Sequence, residues 1–432
     1  MLYTVKKNSS VLIKILLPFF LFSCLIMTSC KPQSELIEVT SEDPMVRKFY
    51  TLHHESLYWF SSGKNIRKAK EWLKVLEMAN SFGLDAHKLQ IDQIRLALSN
   101  RIGIESSLKA QTDQQITGLI LNFIKELQEG VIHFDYDEVR VLRDSVYVYQ
   151  LIDSKKHSSV FEFISQIESK DQDYLVLKKF LNDSLTTADT LKYKTVVRAM
   201  NYRRYLTINH QSEYVLVNIP TAEAEYYNNN LLVLKMRTVP GKKKNQTPTI
   251  ASYITSIVTF PSWNVPHTIA VKEILPKVQI DKTYLELHNF EVVDAKGNAM
   301  DDEDLIWENY TERNFPYFFR QSTGASNSLG LIKFDLENPF SIYLHATNWQ
   351  GAFEKEYRFL SHGCIRLEKP FELADALLRS MIDIQELKDG KKNTESTIID
   401  LPTKVQVFLI YVPVTVVEEN VVFLPDVYDL IK

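Results

Sequence analysis

The spacing of hydrophobic residues changes near Tyr205. Before that point apolar residues recur every three or four positions, which predicts amphipathic helices. Two such stripes are Ile66, Ala69, Leu73, Leu76 and Ala79, and Ile116, Leu119, Ile120, Phe123, Ile124 and Leu127. After that point short apolar runs bounded by turn residues predict strands. These runs are 214–220, 231–236, 256–260, 341–345 and 405–417. The pattern therefore predicts an α+β chain, with a helical domain over residues 46–205 and a mainly β domain over residues 206–432.

The first thirty residues follow a different pattern. Lysines precede an apolar run over 15–27 that is short for a membrane span. The run ends in Met27-Thr28-Ser29-Cys30, which resembles a lipoprotein signal, so we expect cleavage before Cys30 and lipid on that cysteine. Cleavage before Cys24 and an uncleaved anchor are the alternatives. In each case the remaining chain is expected outside the cytoplasm. The favoured reading places it in the periplasm, lipid-anchored to a membrane of the cell envelope, with residues 31–45 as a tether.

Length and charge narrow the classes of function. A chain of 432 residues has room for two or three domains. Its 50 basic and 54 acidic residues nearly balance, and no basic face extends from the longest basic cluster, Lys242-Lys243-Lys244. A loop exposed to solvent explains that cluster better than a nucleic-acid surface, so no nucleic-acid partner is expected.

Cys364 is the only cysteine outside the first thirty residues. A lone thiol in an oxidising compartment is a liability unless it has a chemical role. The thiol lies in the sequence Ser361-His362-Gly363-Cys364-Ile365-Arg366-Leu367, and His345 ends an apolar strand-like run upstream. Cysteine, histidine and a glycine-flanked turn are the components of a thiolate acyl-transfer site.

The roles of these residues follow from their chemistry. His345 could take the proton of the thiol or hold the thiolate as an ion pair. Tyr343 and His345 are two apart on a predicted strand, so they face one side, and that face could meet Cys364. The N–H groups of Gly363 and Cys364 could point at a developing oxyanion. Arg366 could bind a substrate carboxylate or brace the loop.

Two alternatives involve no acyl transfer. His345, His362 and Cys364 could bind zinc, but no Cys-x-x-Cys or His-Glu-x-x-His motif supplies further ligands, so no metal is expected. Cys364 could also be a structural cysteine without chemistry. His362, next but one to Cys364, is expected to build the turn and not to act as the base.

The motif Ser361-His362-Gly363-Cys364-Ile365-Arg366 with its upstream histidine resembles the signature of L,D-transpeptidases with a YkuD-type catalytic domain. Further segments resemble the large YcbB-like branch of that family. They are Asn218-Ile219-Pro220, Gln246-Thr247-Pro248, Pro261-Ser262-Trp263-Asn264-Val265-Pro266, Arg320-Gln321-Ser322-Thr323-Gly324 and Asn327-Ser328-Leu329-Gly330. The helical first half resembles the scaffold domain of that branch, so the resemblance covers roughly residues 46–432.

The resemblance implies a role for each site residue. Cys364 is the nucleophile and His345 the general base, with the Ala346 carbonyl orienting the ring. His362 and Gly363 shape the loop, and the amides of Gly363 and Cys364 form the oxyanion hole. Candidate substrate contacts are Arg366, Ser361, Tyr343 and Asn327. No metal or organic cofactor is required.

The implied reaction cross-links peptidoglycan, with roles in cell-wall biogenesis and cell shape. Cys364 attacks a donor stem tetrapeptide, D-Ala leaves, and an amine of an acceptor stem attacks the thioester. If water attacks instead, the same site is an L,D-carboxypeptidase. A non-enzymatic lipoprotein that scaffolds envelope partners is the third possibility.

The segment 262–323 is expected to form a capping subdomain over the active site, by the same resemblance. It is long and rich in aromatic residues, and an insertion of this size is usually functional or partly folded on its own. The alternative is a purely structural excursion. Two departures from the large relatives stand out: no inserted peptidoglycan-binding module is found in the helical half, and a lipid is expected in place of a membrane helix.

Overall fold

The computed structural model describes residues 35–85, 88–99, 105–183, 189–303, 305–389 and 395–432. The predicted signal sequence, with Cys24 and Cys30, lies outside these residues. Within the described ranges, no helix combines the length and the apolar character needed to cross a membrane.

Helices dominate the first half of the chain. They are α1 (Pro44–Leu52), α2 (Gly63–Glu77), α3 (Lys88–Ser99), α4 (Ser106–Glu129), α5 (Asp144–Asp153), α6 (Val160–Ile167), α7 (Gln172–Asp183) and α8 (Thr190–Asn209). The second half adds α9 (His267–Ile269), α10 (Leu275–Ile280), α11 (Tyr284–Leu287), α12 (Pro370–Leu378) and α13 (Ile384–Asp389). A π-helical turn, Ala270–Ile274, joins α9 to α10.

Strands dominate the second half, which confirms the predicted α+β organisation. They are β1 (Tyr136–Asp137), β2 (Tyr214–Asn218), β3 (Glu223–Asn228), β4 (Leu231–Val239), β5 (Ile250–Thr259), β6 (Trp263–Asn264) and β7 (Phe290–Val293). They continue with β8 (Phe318–Gln321), β9 (Ile332–Leu336), β10 (Tyr343–His345), β11 (Ile365–Leu367), β12 (Thr397–Ile410), β13 (Val414–Val417) and β14 (Asn420–Phe423).

The main sheet closes on itself. Its order is β1-β5-β12-β2-β3-β4-β11-β10-β9, and β9 also pairs with β5. The enclosed core takes apolar side chains from these strands and from α12, including the fully buried Leu344, Ile365 and Leu373. The inner face of the sheet is therefore packed with apolar side chains. Because side chains alternate along a strand, the polar side chains of β9, β10 and β11 lie on the outer face.

The helical region has its own core and also covers part of the sheet. Residues of α1–α6 form one apolar cluster. A second cluster joins α7 and α8 to the sheet, where Tyr205 and Leu206 meet Leu216 and Phe408. Helix α8 continues to Asn209, past the predicted boundary at 205. Since its side chains share an apolar cluster with the sheet, this last helix forms a layer on the β domain.

The described part of the predicted tether, residues 35–43, lies along the helical region. Leu36 forms an isolated β-bridge with Ser56. The side-chain oxygen of Gln114 accepts hydrogen bonds at 3.0 Å from the amides of Thr40 and Ser41. Asp43 then caps α1 by accepting from the amide of Met45 at 2.7 Å. This stretch is therefore attached to the helices along its length.

Residues 262–323 form a small unit of their own, called the cap below. It contains a three-stranded sheet in the order β6-β8-β7 together with the helices from α9 to α11. A separate apolar cluster fills it, with Val265, Leu275, Trp307 and Phe319 among its buried members. The antiparallel pairing of β6 with β8 brings both ends of the cap together, with Asn264 opposite Arg320.

Candidate active site

Three adjacent strands position the site residues. In β10, Leu344 faces the core and lies between Phe334 of β9 and Ile365 of β11. Because side chains alternate along a strand, Tyr343 and His345 point to the outer face, where Cys364 and Arg366 also lie. The structure thus places Tyr343, His345 and Cys364 on one face, as the sequence analysis expected, and adds Arg366 to it.

Strand pairing orders these side chains in two rows. One row crosses the sheet through Lys333, His345 and Arg366, which are direct partners in the register. The other runs from Asp335 to its partner Tyr343 and on to Cys364, which immediately precedes β11. Since two residues span roughly 6.6 Å along a strand, His345 is the diagonal neighbour of Cys364 on this surface.

The loop that carries Cys364 is held mainly by its own polar groups. The Ser361 hydroxyl donates to the Cys364 carbonyl at 2.5 Å and accepts from the Gly363 amide at 3.1 Å. Gly363 has a φ of 122°, a conformation that favours glycine. From behind, Thr247 donates its hydroxyl to the Gly363 carbonyl at 2.7 Å.

These bonds bear on two predictions. The Gly363 amide is engaged by Ser361, so in this arrangement it is not free to stabilise an oxyanion. Both hydroxyl bonds of Ser361 stay inside the loop, so its hydroxyl builds the loop, while Ser361 also lines the cleft and its contact with a substrate stays a prediction. The oxyanion role predicted for the Cys364 amide stays a prediction.

The Cys364 thiol is free and half-buried. Its sulfur lies 3.6 Å from the Ser341 carbonyl. Burial raises the pKa of Cys364, although hydrogen bonds from Tyr343 and the charges of Lys333 and Arg366 lower it in part. The resting residue is therefore a thiol, and it needs a base to become a nucleophile.

His345 is 5% exposed, and its pKa is strongly shifted. Burial lowers its pKa to about 3, and the positive charges of Arg366 and Lys333 act in the same direction against a raising contribution from the Ala346 backbone. Nδ1 of His345 has no hydrogen-bond partner among the described residues, so the orienting role of the Ala346 carbonyl stays a prediction. Two flanking cations favour a neutral imidazole, so the ion-pair alternative for the resting site is disfavoured and a proton acceptor is favoured.

Arg366 is a cation with no carboxylate partner among the described residues. Burial lowers its pKa, its Nε has no hydrogen-bond partner, and no carboxylate of the described residues lies within ion-pair distance. Its guanidinium carbon lies 5.8 Å from the ring centre of Trp349. A bracing residue would have a partner within the loop, so this arrangement favours binding of an incoming carboxylate.

A cleft lies over this surface. It encloses about 2040 Å³, including its open mouth. Tyr343, His345, Cys364 and Arg366 line its floor. The cap supplies apolar and aromatic walls, with Trp263, Ile269, Ile274, Tyr284, Leu287 and Phe290 among them. The cap and the thiol therefore border one space.

Asn327 corrects a further prediction. Its side chain is 0% exposed. The amide nitrogen donates to the carbonyls of Gln321 and Ser322, and the side-chain oxygen accepts from the Leu329 amide at 2.7 Å. All of its polar groups brace the turn that follows the cap, so Asn327 is not a substrate contact.

His362 contacts the cap. Its Nε2 lies 2.6 Å from Oε1 of Glu273 and 3.0 Å from Nζ of Lys242. The zinc alternative needs several ligands converging on one point, and the described ranges contain no group of three or more His, Cys, Asp or Glu residues arranged for a metal ion.

Sequence reasoning missed Lys333, Thr247 and Glu273. Lys333 alternates with the apolar residues of β9, so the two-residue period could have placed it on the outer face. Nothing in the local sequence marks Glu273, because its contact with His362 spans 89 positions. Thr247 lay in a segment noted for its resemblance but was given no role.

Comparison with known families now identifies the class. The sequence model of the L,D-transpeptidase catalytic domain, YkuD, matches residues 212–407, and that of the Scaffold domain matches residues 44–181. The chain therefore carries a YkuD-type L,D-transpeptidase catalytic domain behind a Scaffold domain.

A relative from Haemophilus influenzae bears the name "Putative L,D-transpeptidase". It is 31% identical over 287 residues, which are 65% of this chain and 57% of that protein. The match thus spans little more than half of that relative's length.

Solved structures show weaker likenesses. The catalytic domain of an Enterococcus faecium L,D-transpeptidase acylated by ertapenem is 12% identical, with 46% of this chain and 98% of that chain covered and a TM-score of 0.23. Mycobacterium tuberculosis L,D-transpeptidase 1 is 11% identical, with 45% and 60% covered and a TM-score of 0.18. Likenesses of this size carry no further conclusion.

Proposed function

We propose that this chain is a cysteine-dependent L,D-transpeptidase that cross-links peptidoglycan stem peptides. The observation that carries the proposal is a free thiol at the floor of a cleft, with a neutral histidine and an arginine that has no ion-pair partner among the described residues on the same face. These three groups supply a nucleophile, a proton acceptor and a site for a carboxylate.

The first step forms a thioester. Sγ of Cys364 attacks the carbonyl between the third and fourth residues of a donor tetrapeptide, and neutral His345 takes the thiol proton. The bond to D-Ala breaks, and the protonated ring returns the proton to the departing amine. His345 is neutral in the resting site, so its ring has a free lone pair to accept the thiol proton before it passes that proton on. Arg366 pairs with the terminal carboxylate of the donor.

The second step releases the enzyme. The side-chain amine of a diamino acid on an acceptor stem attacks the thioester carbonyl, losing a proton to His345, and the departing Cys364 sulfur takes that proton back. Water in the place of the amine gives a shortened stem, which is the carboxypeptidase outcome. The apolar wall of the cap favours transfer because it limits the access of water to the thioester.

Incubation with disaccharide-tetrapeptides tests the proposal. The protein used would begin at residue 31, because residues 35–43 are attached to the helices. Mass spectrometry should detect a cross-linked dimer with loss of one D-Ala. A shortened monomer alone would assign the carboxypeptidase. If neither product forms with any stem peptide, the enzymatic proposal is wrong.

The proposed setting is the periplasm, with the protein held to a membrane through lipid on Cys30. The sequence before that residue supports this proposal. Cys30→Ser should abolish incorporation of a fatty-acid label. A label that persists in this variant, or that maps to Cys24, would overturn the assignment.

A further inference from the structure

An ionic contact joins the cap to the loop that carries the nucleophile. Oε1 of Glu273 lies 2.6 Å from Nε2 of His362, and Nζ of Lys242 lies 3.0 Å from the same nitrogen and 3.6 Å from the same oxygen. The ring nitrogen donates to Glu273 when it carries a proton and accepts from Lys242 when it does not. His362 therefore keeps a partner in either form.

The carboxylate is carried by a firmly packed part of the cap. Glu273 belongs to the π-helical turn Ala270–Ile274. Its neighbours Ala270, Val271 and Ile274 are buried in the apolar cluster of the cap. Rigid packing of the neighbours means that a displacement of the cap moves this carboxylate with it.

The opposite side of the loop is fixed to the body of the β domain. Thr247 holds the Gly363 carbonyl, and Gly241 donates its amide to the Thr247 hydroxyl at 2.9 Å. Tyr428 donates its hydroxyl to the Gly241 carbonyl at 2.5 Å. The loop thus lies between a hydrogen-bonded support in the β domain and a contact that belongs to the cap.

The charge of the cleft makes this contact distinctive. Glu273 is the single carboxylate among the described residues that line the cleft. Its cationic partner is Lys242, which does not line the cleft. Burial raises the pKa of Glu273, but the hydrogen bond from His362 and the charge of Lys242 bring it below its ordinary value. The carboxylate is therefore bound in its charged form.

We propose that Glu273 is a positioning residue that fastens the cap to the catalytic loop through His362. The role rests on the proposed transpeptidase function: a fastened cap keeps water from the thioester until the amine arrives. The side chains of His362 and Glu273 are 29% and 42% exposed, so the contact is only moderately strong. A moderate contact suits a cap that has to open for substrate and product in each cycle.

Glu273→Gln tests this role because it removes the charge and keeps the shape. We expect the ratio of hydrolysis to transfer to rise roughly three- to tenfold, the effect of losing a partly exposed ionic contact. Hydrogen exchange in the cap helices and in the catalytic loop should become faster. Alkylation of Cys364 by iodoacetamide should not slow, since the nucleophile and its base are untouched. Glu286→Gln, an exposed carboxylate of α11 in the same cap, is the matched control and should match wild type in all three measurements.

A double variant decides between this contact and general damage to the cap. Glu273→Gln with His362→Gln should be no worse than the more affected single variant, because both remove one interaction. Fully additive effects on the ratio or on exchange would overturn the proposal, as would unchanged exchange and an unchanged ratio in Glu273→Gln. If wild type neither transfers nor hydrolyses, the proposed function has failed, and unchanged exchange would then reject the contact separately.

Discussion

Two arginines, one buried and one half-buried, show how the helical region and the active site differ. Arg204 in α8 is 0% exposed, and it donates to the Asn201 side chain, the Phe82 carbonyl and the Tyr174 hydroxyl, leaving only Nε without a partner. Arg366 also loses basicity through burial, yet it has no ion-pair partner among the described residues. The first arginine is satisfied by the fold and the second is not.

The contrast separates stability from binding. A buried cation whose partners are built in contributes to the folded state, and removing it leaves those partners unsatisfied. A half-buried cation without a built-in partner adds little to the folded state and can pair with a charged ligand, which points to recognition. The five predictions below test this separation, in order of decreasing effect.

Cys364→Ala should abolish both transfer and hydrolysis while leaving the melting temperature nearly unchanged. The thiol packs at the edge of the core and contributes little to stability, so its loss separates chemistry from folding. A carbapenem should add covalently to the wild-type thiol, and intact mass spectrometry should detect no adduct on the variant. Activity retained by the purified variant would reject Cys364 as the nucleophile, and an inert wild-type thiol would favour the scaffold alternative.

His345→Gln should lower the acylation rate roughly 10²–10⁴-fold, the range for loss of a general base. The substitution keeps a polar side chain in the buried position and removes the proton acceptor. Stopped-flow measurement of carbapenem acylation reports this step without the acceptor. A rate within twofold of wild type would show that another group accepts the thiol proton.

Arg366→Met should mainly lower activity, whereas Arg204→Met should mainly lower stability. The first should lower kcat/KM for tetrapeptides roughly 30-fold or more through loss of the carboxylate contact, at little cost in stability. The second should cost about 3 kcal/mol of unfolding free energy because three partners lose their donor, with activity per folded molecule retained. Urea unfolding and steady-state kinetics on both variants measure the two quantities. Equal losses of stability would contradict the contrast.

Replacement of residues 265–319 by an Asn-Gly turn should raise hydrolysis relative to transfer several-fold. The design uses the pairing of Asn264 with Arg320, which brings the ends of the cap to hairpin distance. Cys364 should still react with a small alkylating probe, which is the control for folding of the β domain. An unchanged ratio in a folded variant would favour the structural excursion.

Stability should fall as the pH drops from about 6.5 towards 3, partly because of His345. Its pKa is near 3 in the folded chain and 6.5 ordinarily, so the unfolded chain binds more protons in this window and unfolding is favoured by acid. His345→Gln lacks this group, so its melting temperature should decline less over the same range. Parallel declines of wild type and variant would show that the histidine is not buried as a neutral ring.

The sequence predicted those features that depend on local spacing. Alternation in the run ending at His345 predicted the shared face of Tyr343 and His345, and the break near Tyr205 predicted the change from helices to strands. Features that depend on the packing of distant segments against each other could not be predicted from the local sequence. Glu273 is one carboxylate in a short helical stretch, and only the placement of the cap 89 positions from His362 gives it a partner. Likewise, a motif could suggest Asn327, but only the folded turn reveals that its amide is fully engaged.

The short strand β1 has a consequence for any attempt to dissect this molecule. Tyr136 and Asp137 come from the helical half, yet they pair with Ile250 and Ala251 of β5. Cutting the chain at the start of the YkuD match would leave the beginning of β5 with exposed backbone donors and acceptors, the kind of edge that recruits other chains. The isolated β domain should therefore tend to self-associate, and the two halves are expected to unfold as one unit.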